Sequence, residues 1–318
     1  MKFFAATLLA LSTLVSAVPM EKRAGNCTNP AVHVEWRSLT QAQRNSFHKA
    51  VKCLQTKASN IKGKSVFDSY PSVHDNVFPN VHYVANFLPW HRMFLYMRSQ
   101  DLKDCGYPGP TPYWDWTIDS GKLATSDIWD PTTGFGGNGN TRTNEHCVEQ
   151  GPYANFQNQL SYPNRHCLAR RFNNGNVRNS VLGTMQGSQY SSTMIQQVLS
   201  NKDYNAFSND VEEIPHDSIH NVISGDMAAA FSPNDALFFL HHQNIDRIWA
   251  KWQQGSSSRL QEYSGNTVQG QSQTDGSRFP LAKLNDTLPM QGIRGLPDMR
   301  VADVMNTMGG ALCYTYDK

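Results

Sequence analysis

The stretch that decides the fold is residues 213–249, EIPHDSIHNVISGDMAAAFSPNDALFFLHHQNIDRIW. His216 and His220 are four residues apart within it. In a helix this spacing brings both imidazoles out of the same face. Two histidines in that relation make half of a metal site.

A helix start follows at residues 232–235, where Ser, Pro, Asn and Asp precede an apolar run that leads into His241 and His242. Adjacent helical residues point about 100° apart, so only one of the pair is expected to share the site. Asp246 lies four residues after His242, on the same face, where a carboxylate can orient a ligating imidazole. We therefore predict that His242 is the third ligand and that Asp246 orients it.

Three more histidines, His74, His82 and His91, precede this stretch. The segment 65–80, which contains His74, is predicted to be irregular because two prolines interrupt it. His91 lies near the start of a helix predicted over residues 90–103, where apolar residues recur at helical spacing. Six of the eleven histidines thus form two groups of three.

Imidazole ligands without a thiolate or a nearby carboxylate cluster favour copper over calcium or magnesium. Three neutral imidazoles per ion leave coordination positions open for a small molecule such as O₂. Carboxylate-bridged di-iron proteins use Glu-x-x-His pairs instead, and neither histidine-bearing helix has that motif. The sequence therefore predicts a pair of copper ions.

The chain has 318 residues, 39% of them hydrophobic, and a net charge of +2, which gives no reason to expect a nucleic-acid or membrane partner. Residues 1–17 have the pattern of a signal peptide. Residues 18–23 are predicted to be a short propeptide ending in Lys22-Arg23. We expect residues 24–318 to form one domain of a secreted, monomeric protein.

Six cysteines in an exported chain predict three disulfides, although six cysteines allow 15 pairings. A zinc site built on the two His-Cys pairs at residues 146–147 and 166–167 is less favoured, because oxidised thiols cannot ligate a metal. Asn26 and Asn285 begin glycosylation triplets. The pairs that we expect are Cys27–Cys313, Cys53–Cys105 and Cys147–Cys167.

Outside the histidine-bearing segments, residues 39–54 are predicted to form a helix that Thr40 caps. Residues 107–207 are predicted to be mostly irregular. A segment of that length is too long for a simple connection, so it is expected to wrap around the helices and to be held by disulfides.

In its two histidine-bearing segments the chain resembles the tyrosinase and catechol oxidase (polyphenol oxidase) family of type-3 dicopper proteins, in its short secreted fungal form. The resemblance covers about residues 36–316, and the residues 112–116 and 314–316 are also similar to the family's. The residues that match the two copper-binding signatures are His82, Phe87, Trp90, His91 and Arg92, and then Asp235, Phe238, Phe239, His242 and Asp246.

The resemblance implies a mainly α fold, with a four-helix bundle around a dicopper site and long loops outside. It implies that two copper ions and O₂ oxidise o-diphenols to o-quinones, with o-hydroxylation of some monophenols and faster action on diphenols. Small phenols and O₂ would be the partners. Glu212 matches a water-holding general base, Asp217 a residue that selects between phenols, and Phe238 and Asn221 pocket positions.

The chain departs from the family pattern at several positions. Asn80 stands where many members have a cysteine cross-linked to the histidine, so His82 is expected to be more mobile. Ser99 replaces a glutamate of the first signature, and Asp217 replaces the usual Asn or Gly. No C-terminal shielding domain is expected, so activity is expected without its proteolytic removal.

Two alternatives from other classes stay open. A haemocyanin-like protein would bind O₂ reversibly at the same copper site without phenol turnover. A zinc-dependent hydrolase or a purely structural protein would contain zinc or no metal.

Overall fold

Most regular structure in the computed structural model is helical, and the structure describes residues 27–154, 156–158, 165–173, 185, 187–270, 279–309 and 312–318. The predicted signal peptide and propeptide lie outside these residues. The α-helices within the described residues are α1 Gln41–Leu54, α2 Val66–Val81, α3 Phe87–Asp104, α4 Ser192–Leu199, α5 Tyr204–Val211, α6 Asp217–Ile223 and α7 Leu237–Gln254.

Local signals in the sequence set the start of α1 and the end of α3. The Thr40 side chain accepts a hydrogen bond from the Gln43 amide, and the Gln43 side chain accepts one from the Thr40 amide, which is a capping box. Helix α3 begins three residues before the predicted start, with Pro89 in its first turn. It ends at Asp104, and Gly106 then takes φ +81°, a conformation that glycine adopts freely.

Helix α2 corrects the prediction that residues 65–80 are irregular. Pro71 and Pro79 both lie inside the helix, although proline in a helix interior costs about 3 kcal/mol. The helix persists because Ser65 caps its start and an apolar face is buried along its length. That face consists of Phe67, Tyr70, Val73, Val77 and Val81.

Helices α2, α3, α6 and α7 form the four-helix core that carries the six predicted ligands, which confirms the predicted fold class. Aromatic rings join three of these helices. Phe94 of α3 contacts Tyr70 of α2 edge-on at 5.0 Å between ring centroids and stacks on Phe239 of α7 at 5.9 Å. A π-helical turn, Glu212–His216, joins α5 to α6 and contains Pro215. Such wide turns occur mostly at functional sites.

A small parallel sheet brings distant parts of the chain together. Strand β1 Ala31–Glu35 lies between β2 Pro112–Tyr113 and the C-terminal β7 Tyr314–Tyr316. The remaining strands form two-stranded hairpins: β3 Gln157–Asn158 with β4 His166–Cys167, and β5 Thr287–Leu288 with β6 Met299–Arg300.

All three expected disulfides are present, at Cys27–Cys313, Cys53–Cys105 and Cys147–Cys167. The first fixes the start of the described chain beside β7. The third excludes the zinc site on the two His-Cys pairs, since both thiols are oxidised. The histidine of the second pair, His166, instead contacts the Asp226 carboxylate at 2.7 Å.

The described part of residues 107–207 is mostly irregular up to Tyr190, as predicted, and its regular structure there is limited to two-residue strands and short 3₁₀ helices. Helix α4 and the start of α5 follow. The irregular part is tied to the core by Arg170, whose buried guanidinium donates to both carboxylate oxygens of Asp235 and to the carbonyl of Gly136. Among the described helices, none has the length and apolar character that a membrane span needs.

Candidate metal centre

The first histidine group converges on one point. His74 lies in α2, His82 directly follows that helix, and His91 lies in the second turn of α3. The Nε2 atom of His74 is 3.0 Å from Nε2 of His82 and 3.3 Å from Nε2 of His91. One nitrogen from each ring lies within 4.8 Å of the others. This group has the geometry of a three-histidine metal site.

The second group contains four histidines. His216 ends the π-helical turn, His220 lies in α6, and His241 and His242 lie in α7. One nitrogen of each lies within 4.8 Å of the others, so both rings of the adjacent pair approach His216 and His220, although they leave the helix in different directions. Which of the two binds the metal stays a prediction.

Hydrogen bonds fix the tautomers of five of the six predicted ligands. In each of these rings Nδ1 lies at hydrogen-bond distance from an oxygen, so Nδ1 carries the proton and Nε2 is left with a lone pair. The acceptors are the carbonyls of Ala230 for His74, Phe87 for His91, Glu212 for His216 and Met227 for His220, and the Glu212 carboxylate for His82.

The sixth predicted ligand, His242, is held by stacking. Its ring lies between Phe238, at 4.0 Å, and His91, at 4.4 Å between ring centroids. Its Nε2 is 3.2 Å from Nε2 of His220. Within the described residues, its Nδ1 has no hydrogen-bond partner.

His241 differs from the other three members of its group because a hydrogen bond sets its tautomer. The indole Nε1–H of Trp116 donates to Nδ1 of His241 at 3.1 Å. Because an indole N–H can only donate, Nδ1 must be the acceptor, and the neutral ring carries its proton on Nε2. His241 therefore offers no free lone pair, which favours His242 as the ligand.

Burial keeps five of the six predicted ligands neutral. Desolvation lowers the pKa of His74 to about 4 and holds the pKa values of His82, His91, His220 and His242 well below the ordinary range. Neutral rings with lone pairs aimed at one another leave room for a cation at the centre of each group. The donor set, imidazole alone, fits copper.

The two groups face each other. His82 stacks on His216 at 5.6 Å between ring centroids, and His91 stacks on His242 at 4.4 Å. Two ions held by these groups would therefore be neighbours in one binuclear site.

The His82 ring is held without the family's thioether. Asn80 is exposed, and the ring stacks on Phe78 at 4.3 Å between centroids with 20° between the planes. At the edge of the ring, Nδ1 of His82 lies 2.9 Å from the Glu212 carboxylate. These two contacts restrain the ring from two sides, and its greater mobility relative to a cross-linked histidine stays a prediction. No sequence signal marked Phe78 for this role, although it lies four residues before His82, at helical spacing.

Replacing Phe78 with leucine is expected to weaken copper retention about tenfold, the lower end of the effect of losing a group that orients a ligand. The Phe78→Tyr variant keeps the stack and should retain copper as the parent does. Competition with a copper chelator measures both. Equal retention by the two variants would show that the ring stack does not position His82.

Glu212 lies behind His82. It is 1% exposed, which excludes an ordinary surface carboxylate. Its Oε1 accepts from the Tyr83 amide and from Nδ1 of His82, both at 2.9 Å. Desolvation raises its pKa well above the ordinary value. These contacts suit a group that orients His82, and the general-base role stays a prediction.

Asp246 does not contact the ring that it was predicted to orient. One carboxylate oxygen accepts from Nε of Arg92 at 2.5 Å, and the other accepts from the hydroxyls of Tyr314 and Tyr316 at 2.6 and 2.5 Å. The i, i+4 spacing places Asp246 near the His242 face, but the guanidinium and the two phenols attract the carboxylate away from the imidazole.

A cavity of about 130 Å³ opens beside the histidines. Its described lining includes Asp217, Asn221 and Tyr83, together with His74, His82, His216 and His220, and the segment 227–230. Asp217 and Asn221 therefore line the cavity beside the histidines, and their part in handling a substrate stays a prediction. Phe238 is fully buried beneath His242 and packs the floor of the site. Tyr83 was not predicted as a lining residue, and Trp116 was noted only as part of the family-like segment 112–116.

A sequence profile of the common central domain of tyrosinase matches residues 46–255. The chain belongs to the tyrosinase family. It is therefore a type-3 copper oxidoreductase, and the family implies a binuclear copper site, phenolic substrates and O₂. Among curated relatives, the chain is 38% identical over 310 residues to Tyrosinase-like protein phomQ1 of Diaporthe leptostromiformis, with 92% of this chain and 78% of that protein covered.

Solved structures of tyrosinase-family and haemocyanin proteins share the fold. A polyphenol oxidase from Thermothelomyces thermophila matches with a TM-score of 0.73 and 27% identity, covering 91% of this chain and 89% of that one. A functional unit of octopus hemocyanin matches with a TM-score of 0.59 and 19% identity, covering 91% and 68%. At 19% identity, the similarity to the hemocyanin unit shows a shared fold alone.

Proposed function

We propose that this protein is a copper-dependent phenol oxidase that converts o-diphenols to o-quinones and reduces O₂ to water, with o-hydroxylation of some monophenols. One observation carries the proposal. Two groups of buried imidazoles, converging on common centres, face each other beside a cavity that opens to solvent.

His74, His82 and His91 would hold one copper ion, and His216, His220 and His242 the other. The copper pair would supply O₂ binding and electron transfer from the phenol. The protein supplies fixed ring orientations, through acceptors for Nδ1–H, and a cavity that admits a planar aromatic ring. Asp217, on the lining of that cavity, is the carboxylate positioned to accept a phenolic proton.

The cavity supports turnover over reversible O₂ storage. It reaches four of the six proposed ligands directly, so an aromatic ring entering from solvent can approach them. The three disulfides support the further proposal that the protein is exported.

Copper analysis combined with O₂ uptake on catechol, 4-methylcatechol and their monophenol counterparts tests the proposal. We expect two copper ions per chain and faster uptake with diphenols than with monophenols. Reversible O₂ binding without diphenol oxidation would indicate a haemocyanin-like carrier. Zinc, or no bound metal, would contradict both copper functions.

A further inference from the structure

The charges of the side chains that line and flank the cavity influence which phenols bind in it. Among the described residues that line the cavity, Asp217 is the one carboxylate, and none is a lysine or arginine. Glu213, exposed at the start of the π-helical turn, adds negative charge close enough to act on the Tyr83 hydroxyl. A cationic group at this rim is attracted and an anionic group is repelled.

The Asp217 carboxylate is held in place rather than free in solvent. The Tyr83 hydroxyl donates to it, at 3.1 Å from one oxygen and 3.3 Å from the other. Nδ1 of His216 lies 3.1 Å from one of the same oxygens. The carboxylate therefore stays beside the proposed ligands on the cavity lining, where its charge acts on whatever occupies the cavity.

Tyr83 is itself presented to the cavity by its backbone. Its φ of +55° is unusual for a side-chain-bearing residue, and its amide donates to the buried Glu212 at 2.9 Å. The side chain is 41% exposed and lines the same cavity as Asp217. An accessible aromatic face beside a carboxylate is a suitable environment for an ammonium group.

We propose that Asp217 and Tyr83 form a subsite that selects phenols whose ring substituent carries an ammonium group over phenols whose substituent carries a carboxylate. The inference rests on the proposed phenol oxidation and adds the substrate class. Asp217 is the specificity-determining charge, and Tyr83 positions it and offers its ring to the cation.

Three catechols that differ in substituent charge test this on the copper-loaded protein: dopamine, 4-methylcatechol and 3-(3,4-dihydroxyphenyl)propionate. We expect kcat/KM for dopamine to exceed that for the propionate by about tenfold, with the neutral compound between them. The ratio should shrink as ionic strength rises, because the rim is solvent-exposed.

The variants separate charge from shape. Asp217→Asn keeps the size of the side chain and an acceptor for Tyr83, and should reduce the dopamine-to-propionate ratio to about twofold or less. Tyr83→Phe keeps the ring and the charge but removes the hydroxyl that positions the carboxylate, which His216 still contacts, so it should lower the ratio by less than Asp217→Asn does. A parent ratio near one, or one that Asp217→Asn leaves intact, would overturn the subsite.

A binding measurement keeps this test independent of turnover. Calorimetric titration of the same protein with 2-phenylethylammonium and 3-phenylpropionate, which have no hydroxyl to oxidise, should show tighter binding of the ammonium compound, and Asp217→Asn should remove the difference. If 4-methylcatechol is not oxidised, phenol oxidation fails whatever the titration shows. If it is oxidised but the two compounds bind equally, only the subsite fails.

Discussion

Replacing His242 with asparagine is expected to reduce bound copper from two ions to about one per chain and to lower diphenol turnover by at least about a hundredfold, a loss no smaller than that from removing a group that merely orients a ligand. The reason is that Nε2 of His242 converges with Nε2 of His220 at 3.2 Å, and asparagine has no atom that reaches this position. Metal analysis and O₂ uptake with 4-methylcatechol measure the two effects.

The adjacent histidine provides the matched control. His241→Asn replaces the acceptor of the Trp116 N–H with an amide oxygen and removes a ring whose Nε2 carries a proton. It should retain both copper ions. Circular dichroism and thermal midpoints establish that both variants fold. Copper loss in His241→Asn with retention in His242→Asn would reverse the assignment of the ligand.

Replacing Asp246 with asparagine is expected to lower the free energy of unfolding by about 3–5 kcal/mol, the effect of removing one partner of a buried ion pair. Arg92 is fully buried, stacks on Trp249 at 3.5 Å, and would lose its carboxylate. The hydroxyls of Tyr314 and Tyr316 would lose a charged acceptor as well. Urea unfolding with the disulfides intact measures the change.

The control for this effect is the pair Arg300–Asp303 near the surface, whose side chains are 50% and 26% exposed and whose charged atoms are 2.8 Å apart. Asp303→Asn should cost about 0–1 kcal/mol, because surface ion pairs are screened by solvent. If Asp246→Asn costs no more than Asp303→Asn, the buried network does not stabilise the fold.

The sequence predicted the parts of the site that depend on local periodicity. The four-residue spacing of His216 and His220 and the apolar run before His242 are local signals, and they predicted the second histidine group. The four-helix core was predicted from the resemblance to the tyrosinase family. The disulfide pairs were also predicted. Whether each of the six histidines binds copper stays a prediction that the His242 and His241 variants begin to test.

What the sequence did not predict depends on tertiary contacts. Helix α2 forms despite its prolines because a buried apolar face outweighs their local cost. Asp246 is on the predicted helix face, but Arg92, 154 residues away in sequence, determines where its carboxylate points. Ser99, which replaces a signature glutamate, is an exception, because its hydroxyl makes a local contact with the Tyr96 carbonyl one turn earlier.

The Cys27–Cys313 bond has a consequence for the centre of the molecule. It anchors the end of the chain beside β1, and β7 begins at the next residue with Tyr314. The phenols of β7 hold Asp246, which lies one helical turn beyond His242 on α7. A reductant that opens this peripheral bond would therefore loosen a support of the redox-active core, so the oxidation state of the surroundings bears on how firmly the catalytic helix is held.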